Sequence, residues 1–537
     1  MKKITYIIVS LLFMAGYSYG QGEIEANQFS RGDLNGTARS VSMGGAFGAL
    51  GGDLSGVAIN PAGIAVYRSS EIAGTVVFSN ENFKAGDVSN NKSNFNLNSL
   101  GFVGYFPTSN YNIPVVNFGF SYNKVKSFDR EIGAYNGDRG TSLMDYMADI
   151  SSRGAGVDPS SLKFDSNDDS VDPFKSGAPW LSVLGFNSYL INDHQDADGY
   201  YYSPLHNERV SNSLYLSERG SIDNYDFTVG TSINNVLNIG VALSISDIYY
   251  NLYSQNSEDF ATGANAGFDL RNWVTSEGNG VGVKLGLIYR PVNAFRFGLS
   301  YQSPTWYSMT DIYAAEIEHN LTDYVSKDDY PEYKKGFYPA DEDMKNYKNN
   351  YNFKTPDKWT VSAAAVLGTN MILSLDYEFS NFKNMKYSEP SNSYYPTDYF
   401  EPDNSYISSD YKLASTVRAG MEYRFTPQFS GRLGYAWMQN PYDTKFKSEQ
   451  GDAMVSGSTT AYRLEGDANY ITGGIGYRFN RNFYLDLAVI FKSQEDDLYS
   501  YPNVFLDDSR TELYIDAEPY KLTNNSFRGL LTLGYRF

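Results

Sequence analysis

From Phe483 to Lys492 the chain alternates without a break, with Phe483, Leu485, Leu487, Val489 and Phe491 on one side and Tyr484, Asp486, Ala488, Ile490 and Lys492 on the other. Period-two alternation of this length is the mark of an extended strand with two unlike faces. The pattern returns with Phe295, Phe297, Leu299 and Tyr301 opposite Arg296, Gly298, Ser300 and Gln302. It returns again with Phe429, Leu433, Tyr435 and Trp437 opposite Ser430, Arg432, Gly434 and Ala436. Charge keeps to one side each time. Read this way, strands fall near 70–80, 95–106, 114–126, 222–233, 236–252, 280–291, 294–306, 357–368, 371–382, 412–425, 428–438, 467–480, 482–493 and 527–537, an even number. From the second strand on, every other link is a few residues: Asn234-Asn235, Pro291-Val292-Asn293, Gly368-Thr369-Asn370, Thr426-Pro427, Asn480-Arg481. The remaining links are long, from 81–94 up to 127–221. A β-sandwich or propeller also alternates apolar and polar residues, but has no reason to sort its loops by parity. An outer-membrane barrel does, with short periplasmic turns and long external loops. Strands of about twelve residues, at roughly 3.3 Å each and tilted about 40°, cover the apolar thickness of a bilayer. The expected fold is therefore all-β: a transmembrane antiparallel β-barrel of about 14 strands over residues 70–537, with 127–221 and 307–356 as its notable external loops.

Composition agrees with a wall that is apolar on one face only. The chain has 47 Tyr, 33 Phe and 48 Gly, yet only 42% hydrophobic residues, and such a wall keeps average hydropathy low. Lys2 and Lys3, the apolar run from Ile4 to Ala15, and small residues at Ser18 and Gly20 predict a signal peptide over 1–20. That run is too short to span a bilayer as a helix, and nothing later reaches 18 apolar residues. The absence of cysteine excludes a lipid-modified N-terminus, thiolate metal sites and disulfides. The formal charge of −19, or −21 once Lys2 and Lys3 leave, repels phosphate backbones and argues against nucleic acid as a partner. At the other end Phe527, Leu531, Leu533, Tyr535 and Phe537 alternate to the last residue. Tyr535 and Phe537 are expected to serve as the signal that the barrel assembly machinery reads.

Residues 21–69 do not alternate. They run through Gly44, Gly45, Ala46, Phe47 and Gly48 to Asp53, and on to Asn60, Pro61, Ala62 and Gly63. Small residues allow close backbone packing, and Phe47, Leu50, Leu54, Val57 and Ile59 would be wasted in a linker, so a plug within the tube is expected. Asn before Pro begins a turn whose amide fixes nearby backbone groups. The stretch from Ser42 to Ala65 resembles the N-terminal hatch of the FadL/TodX family of outer-membrane transporters. Leu285-Gly286-Leu287-Ile288-Tyr289-Arg290-Pro291, with Arg296-Phe297-Gly298-Leu299-Ser300-Tyr301-Gln302-Ser303-Pro304, is similar to a central hairpin of that family. The resemblance implies fourteen strands and a hatch whose Gly44, Gly45, Asp53, Asn60, Pro61 and Ala62 take part in gating. It also implies passive uptake of hydrophobic molecules such as long-chain fatty acids or aromatic hydrocarbons, with a side exit through the wall. The long acidic loops depart from the family pattern.

An amphiphile needs an apolar groove for its tail and a cation for its head. Parity puts Lys284, Arg418, Arg432 and Arg528 on the lumen face beside Asp376, Glu378, Glu422 and Asp486. Lys284 and Arg418 are the candidate head-group contacts, and a charge ladder bracing the lumen is the alternative. Enzymatic readings fare badly, because His194, His206 and His319 all fall in expected outer loops with no paired nucleophile. Asp165, Asn167 and Asp169 begin like a calcium loop, but Ser170 and Ser176 replace its Gly and Glu. No cofactor or metal is expected; the partners are a hydrophobic ligand, outer-membrane lipid and the assembly machinery. Two other functions fit a plugged barrel: a surface protein that binds partners or serves secretion, and a general porin.

Overall fold

In a computed structural model that describes residues 22–164, 173–175, 177–262, 266–321, 324, 347–391, 399–444, 446, 458–505 and 513–537, each alternating segment pairs with its neighbours on both sides. The signal peptide and the calcium-like positions Asp165, Asn167, Asp169, Ser170 and Ser176 lie outside the described residues. The strands are β1 (Glu71–Ala85), β2 (Val88–Asn110), β3 (Ile113–Ser127), β4 (Val210–Ile233), β5 (Leu237–Phe260) and β6 (Gly267–Val292), followed by β7 in two parts (Phe295–Gln302, Trp306–Asn320) and β8 in two parts (Tyr347–Lys354, Lys358–Leu367). Then come β9 (Met371–Asn381), β10 (Leu413–Arg424), β11 (Phe429–Met438), β12 in two parts (Tyr462–Leu464, Ala468–Arg478), β13 (Phe483–Tyr499) and β14 (Tyr520–Arg536). All pairings between them are antiparallel, and β14 returns to β1 in register from Glu71↔Arg536 to Ala85↔Leu522. The result is a closed barrel of fourteen strands. Among the described residues no helix is long and apolar enough to cross a membrane.

The faces sort as alternation predicts. Leu487, Val489 and Phe491 are exposed on the outside while Asp486, Ala488 and Ile490 are buried inside. Ring contacts join Tyr423, Phe425 and Phe429, then Tyr477, Phe479 and Phe483, then Tyr535, Phe537 and Phe102. These rings lie at the end carrying the short turns, as an interfacial girdle does. There Asn234 and Asn235 adopt φ of 52° and 57°, the doubly left-handed turn that suits a tight hairpin. Phe537 exchanges backbone hydrogen bonds with Ser70, which closes the seam.

At the other end the strands overrun their expected limits. The link 81–94 is itself a hairpin, β4 begins at Val210 rather than near 222, and β6 at Gly267 rather than near 280. The tract 307–356 likewise begins and ends as strand, with Trp306–Asn320 paired to Tyr347–Lys354. Beyond the bilayer the outer face needs no apolar residues, so the alternation that identifies a membrane strand fades while the pairing continues. Pro304 and Pro356 explain the breaks in β7 and β8: neither has an N–H for the ladder, and Thr305 and Thr355 bond each other across the gap.

Residues 22–69 fill the tube. Their helices are α1 (Glu23–Ser30), α2 (Ala38–Ser42) and α3 (Leu54–Ile59), followed by a 3-10 turn, Pro61–Val66. The outer mouth carries α4 (Leu143–Ser152), α5 (Pro159–Leu162), α6 (Trp180–Asn187), a hairpin of Ile191–Gln195 and Tyr200–Pro204, and α7 (Glu401–Asp410). One buried cluster unites α1 with these loops, and Phe29 meets Phe128 and Tyr250 edge-on at 6.3 and 5.9 Å. The mouth is thus a packed core, with α1 as its floor.

Candidate functional site

The plug is held by backbone groups that reach wall side chains all around the tube. Ala38 N donates to Thr532 Oγ1 (2.8 Å), Gly44 N to Thr472 Oγ1 (3.1 Å) and Gly48 N to Asp376 Oδ2 (2.9 Å). Arg296 donates to the Leu50 carbonyl (2.8 Å) and Asn117 to that of Ile64 (2.7 Å). Gly44 and Gly45 sit at φ of 64° and 74°, left-handed values that favour glycine. A Cβ on Gly434 of β11 would overlap the Gly44 amide. Asn60 does what Asn before Pro allows. Its Oδ1 accepts from Ala62 N (3.1 Å), and its Nδ2 donates to the Gly48 carbonyl (2.7 Å) and to that of Leu287 in β6 (3.1 Å). One side chain joins two plug segments to the wall.

Asp53 is the polar hub. It caps α3 by accepting from Ser55 N and Gly56 N, and both its oxygens accept from Thr37 Oγ1 at 2.8 and 2.9 Å. Burial pushes its carboxyl up from the ordinary range, while Arg39 and Thr37 pull it back. Burial also works against the Arg39 charge, but Glu422 and Asp53 outweigh it and hold it cationic. Asp53→Ala should destabilise the plug by about 1–3 kcal/mol, the cost of a lost cap and an unsatisfied buried hydroxyl. Hydrogen exchange over 37–66 should speed up accordingly while the strands stay protected.

The lumen face is a ladder of ion pairs. Arg39 and Arg432 share Glu422 at 3.0 and 2.7 Å, and Arg432 also reaches Asp486 at 2.6 Å. Arg418 pairs with Glu378 and Arg528 with Asp33, at 2.9 and 3.2 Å. Lys284 is buried against Asp226 at 2.9 Å. Lys284 and Arg418, the head-group candidates, are thus both engaged by carboxylates and lie on different parts of the wall. Of the histidines, His194 stacks on Tyr201, His206 packs on Phe260, and His319 is buried near the outer end of β7.

Two chambers that sequence reasoning missed lie between plug and wall. The outer one has an apolar side, Ile24, Ile132, Leu216, Tyr250, Leu252 and Val274, and a charged side that includes Glu25, Glu218, Asp311 and Arg463. The inner one is lined by Arg31, Lys124, Lys126, Arg130, Lys492 and Arg528 against Asp33, Glu81, Asp129 and Glu465. Arg130 and Glu465 line both, so the two adjoin. Lys126 is buried and donates to the Gln28 carbonyl at 2.9 Å, with no carboxylate of the described residues in ion-pair range. Lys492 lies over the Tyr470 ring at 5.9 Å. Parity could not find Lys126, because a register shift between Lys124 and Lys126 turns it inward. Lys492 does sit on the polar face of its strand and was legible there.

No curated protein sequence matches the chain. Among solved structures, a Pseudomonas aeruginosa FadL homologue is 12% identical, with a TM-score of 0.53 over 95% of this chain and 100% of that one. The Ralstonia pickettii toluene transporter TbuX is 14% identical, with a TM-score of 0.48 over 94% and 99%. The Pseudomonas putida toluene transporter TodX is 12% identical, with a TM-score of 0.48 over 94% and 99%. The first of these shows a shared fold. The family described as outer membrane protein transport protein (OMPP1/FadL/TodX) matches residues 222–507, more than half of the chain. A closed fourteen-stranded barrel filled by its own N-terminal segment, together with that match, places this chain in the OMPP1/FadL/TodX family of outer membrane transport proteins.

Proposed function

We propose that the protein is a passive outer-membrane channel for hydrophobic molecules that carry an anionic head, with long-chain fatty acids as the class that fits best. The observation that carries this reading is the pair of adjoining chambers: the outer has one apolar and aromatic side among charged groups, and the inner sets six cations against four carboxylates. A tail laid against the apolar side of the first gains by leaving water, and a carboxylate meets Lys126 and Lys492 in the second. The relatives named for toluene transport support a hydrophobic cargo; the lysines favour a charged head over a bare hydrocarbon. Hatch residues Gly44, Gly45, Asp53, Asn60, Pro61 and Ala62 would hold the closed state, and release would require this seat to shift. Tyr535 and Phe537, at the closing seam, would be read by the assembly machinery.

Proteoliposomes containing the protein should take up labelled oleate faster than empty ones. Lys126→Met with Lys492→Met should lower oleate uptake by about tenfold, in line with the loss of charge-assisted contacts, and leave toluene uptake unchanged. Equal oleate rates with and without protein would remove the proposal; equal loss of both cargoes would remove the role given to the lysines.

A further inference from the structure

The external halves of β4 to β7 form a sheet whose outer face continues the lipid-facing wall. The belt ends at the row Tyr225, Ile245, Val281 and Trp306, all exposed and aligned by register. Eight residues further along β4, the row through Ser217 holds Tyr253 and Trp273 side by side. At about 3.3 Å per residue and about 40° of tilt, that row stands about 20 Å above the edge of the belt. Tyr215 joins it diagonally, with ring centroids 6.3 Å from Tyr253, which in turn lies 5.5 Å from Trp273. On the short strand Arg130–Arg139, which pairs with β4, Tyr135 extends the diagonal and is 58% exposed. Trp273 is 40% exposed, so the rings are not absorbed by the core.

Polar groups around these rings are held in place. Tyr253 donates to Gln255 at 3.0 Å, and Gln255 to Ser257 at 3.1 Å. Arg271 is fixed by Asp269, Glu316 and Glu318 at 2.9 to 3.1 Å. Aromatic faces flanked by oriented amide, carboxylate and guanidinium groups suit a ligand with C–H faces and a rim of hydroxyls, which is a sugar ring. Charge decides what kind of sugar. Across these rows Asp223, Asp247, Asp269, Glu277, Glu316 and Glu318 stand against Arg219 and Arg271, so phosphate is repelled and uncharged saccharide is favoured.

We propose that this face binds the neutral core sugars of the outer-leaflet glycolipid, the molecules that continue the membrane outward beside it. The aromatic diagonal stacks on the sugar rings, and the neighbouring polar groups take the hydroxyls. The occupant is membrane-bound because the face is continuous with the lipid belt.

The test uses the full-length protein in detergent, titrated with lipopolysaccharide carrying a complete core, with lipid A lacking core sugars, and with the oligosaccharide released from the same core. Core-bearing lipopolysaccharide should bind at least about tenfold more tightly than lipid A. Trp273→Ala with Tyr253→Ala should abolish that difference without changing lipid A binding, while Tyr111→Ala, exposed in a turn at the opposite end, should preserve it. Heat-modifiable gel migration confirms that each variant is folded. Equal binding of the two glycolipids, or a double variant that keeps the difference, would overturn the proposal. Released oligosaccharide binding as tightly as the intact glycolipid would make a free glycan the occupant and overturn it as well.

Discussion

Replacing Gly286 and Gly240 together by valine is expected to unseat the plug and turn a closed barrel into a conducting one. Both glycines face the lumen beneath the turn that begins at Asn60. A Cβ on Gly286 would overlap Asn60 Oδ1 and lie 2.8 Å from Ala62 N, and one on Gly240 would overlap the Pro61 carbonyl. The obstacle on the plug side is largely backbone, pinned by Asn60 to Gly48 and Leu287, so neither side can yield cheaply. Overpacking costs about 1–3 kcal/mol per site, and here both sites press on one turn. Valine is itself a good strand residue, so the wall should still form. Planar-bilayer recordings should show small or no channels for the parent and open ohmic channels for the variant, with new protease cleavage within 22–69. A variant that stays silent and protected would show that this glycine seat does not hold the plug.

The membrane part of this architecture is written in the sequence because lipid enforces it. Leu487, Val489 and Phe491 must face acyl chains, so period two is visible without any partner strand, and short turns such as Asn234-Asn235 record the parity. The parts that could not be read are those where that constraint lapses. Between Val210 and Ile222 the outer face is wet, carrying Ser211, Ser213, Ser217 and Arg219, and a paired strand looks like a loop. Lys126 was hidden by a one-residue register shift, which exchanges the faces of everything beyond it. Lys284 and Arg418 were placed correctly on the lumen face, but a sequence does not show that Asp226 and Glu378 stand within 3 Å of them. The plug motif was legible as small residues in unusual order; what each small residue touches was not.

Raising the pH from 5 to 9 is expected to loosen the contact between the plug and the mouth, and Asp403→Asn is expected to prevent most of it. Around the start of α1, Tyr387 donates to the Gly22 carbonyl and Tyr411 to that of Glu23, at 3.0 and 2.8 Å. Glu23, Glu25, Asp311 and Asp403 all face Tyr387. Asp403, on α7, is 1% exposed. Burial pushes its carboxyl up to about 8, with the Glu25 charge adding to the rise, and burial pushes Glu25 up to about 7. Both are therefore protonated in the packed state at mildly acidic pH, while the same groups in water titrate near pH 4. A raised acid favours the docked state fully below about pH 4; the contribution declines as pH rises and is gone once both groups have ionised, above about 8. Each group costs about 1.4 kcal/mol per pH unit within its window, or about tenfold in the opening equilibrium. Hydrogen exchange of residues 23–30 and 401–410, corrected for the intrinsic rate, should show that loss between pH 5 and 8 and little further change to pH 9. Asp403→Asn removes the group with the higher value, so its protection should fall less steeply and level off near pH 7. Protection that is flat across the range in the parent, or an unchanged slope in the variant, would mean that these carboxyls do not govern the contact. Since α1 floors the packed mouth and borders the outer chamber, the same titration should move oleate uptake: the parent should gain between pH 6 and 8, and Asp403→Asn should gain less.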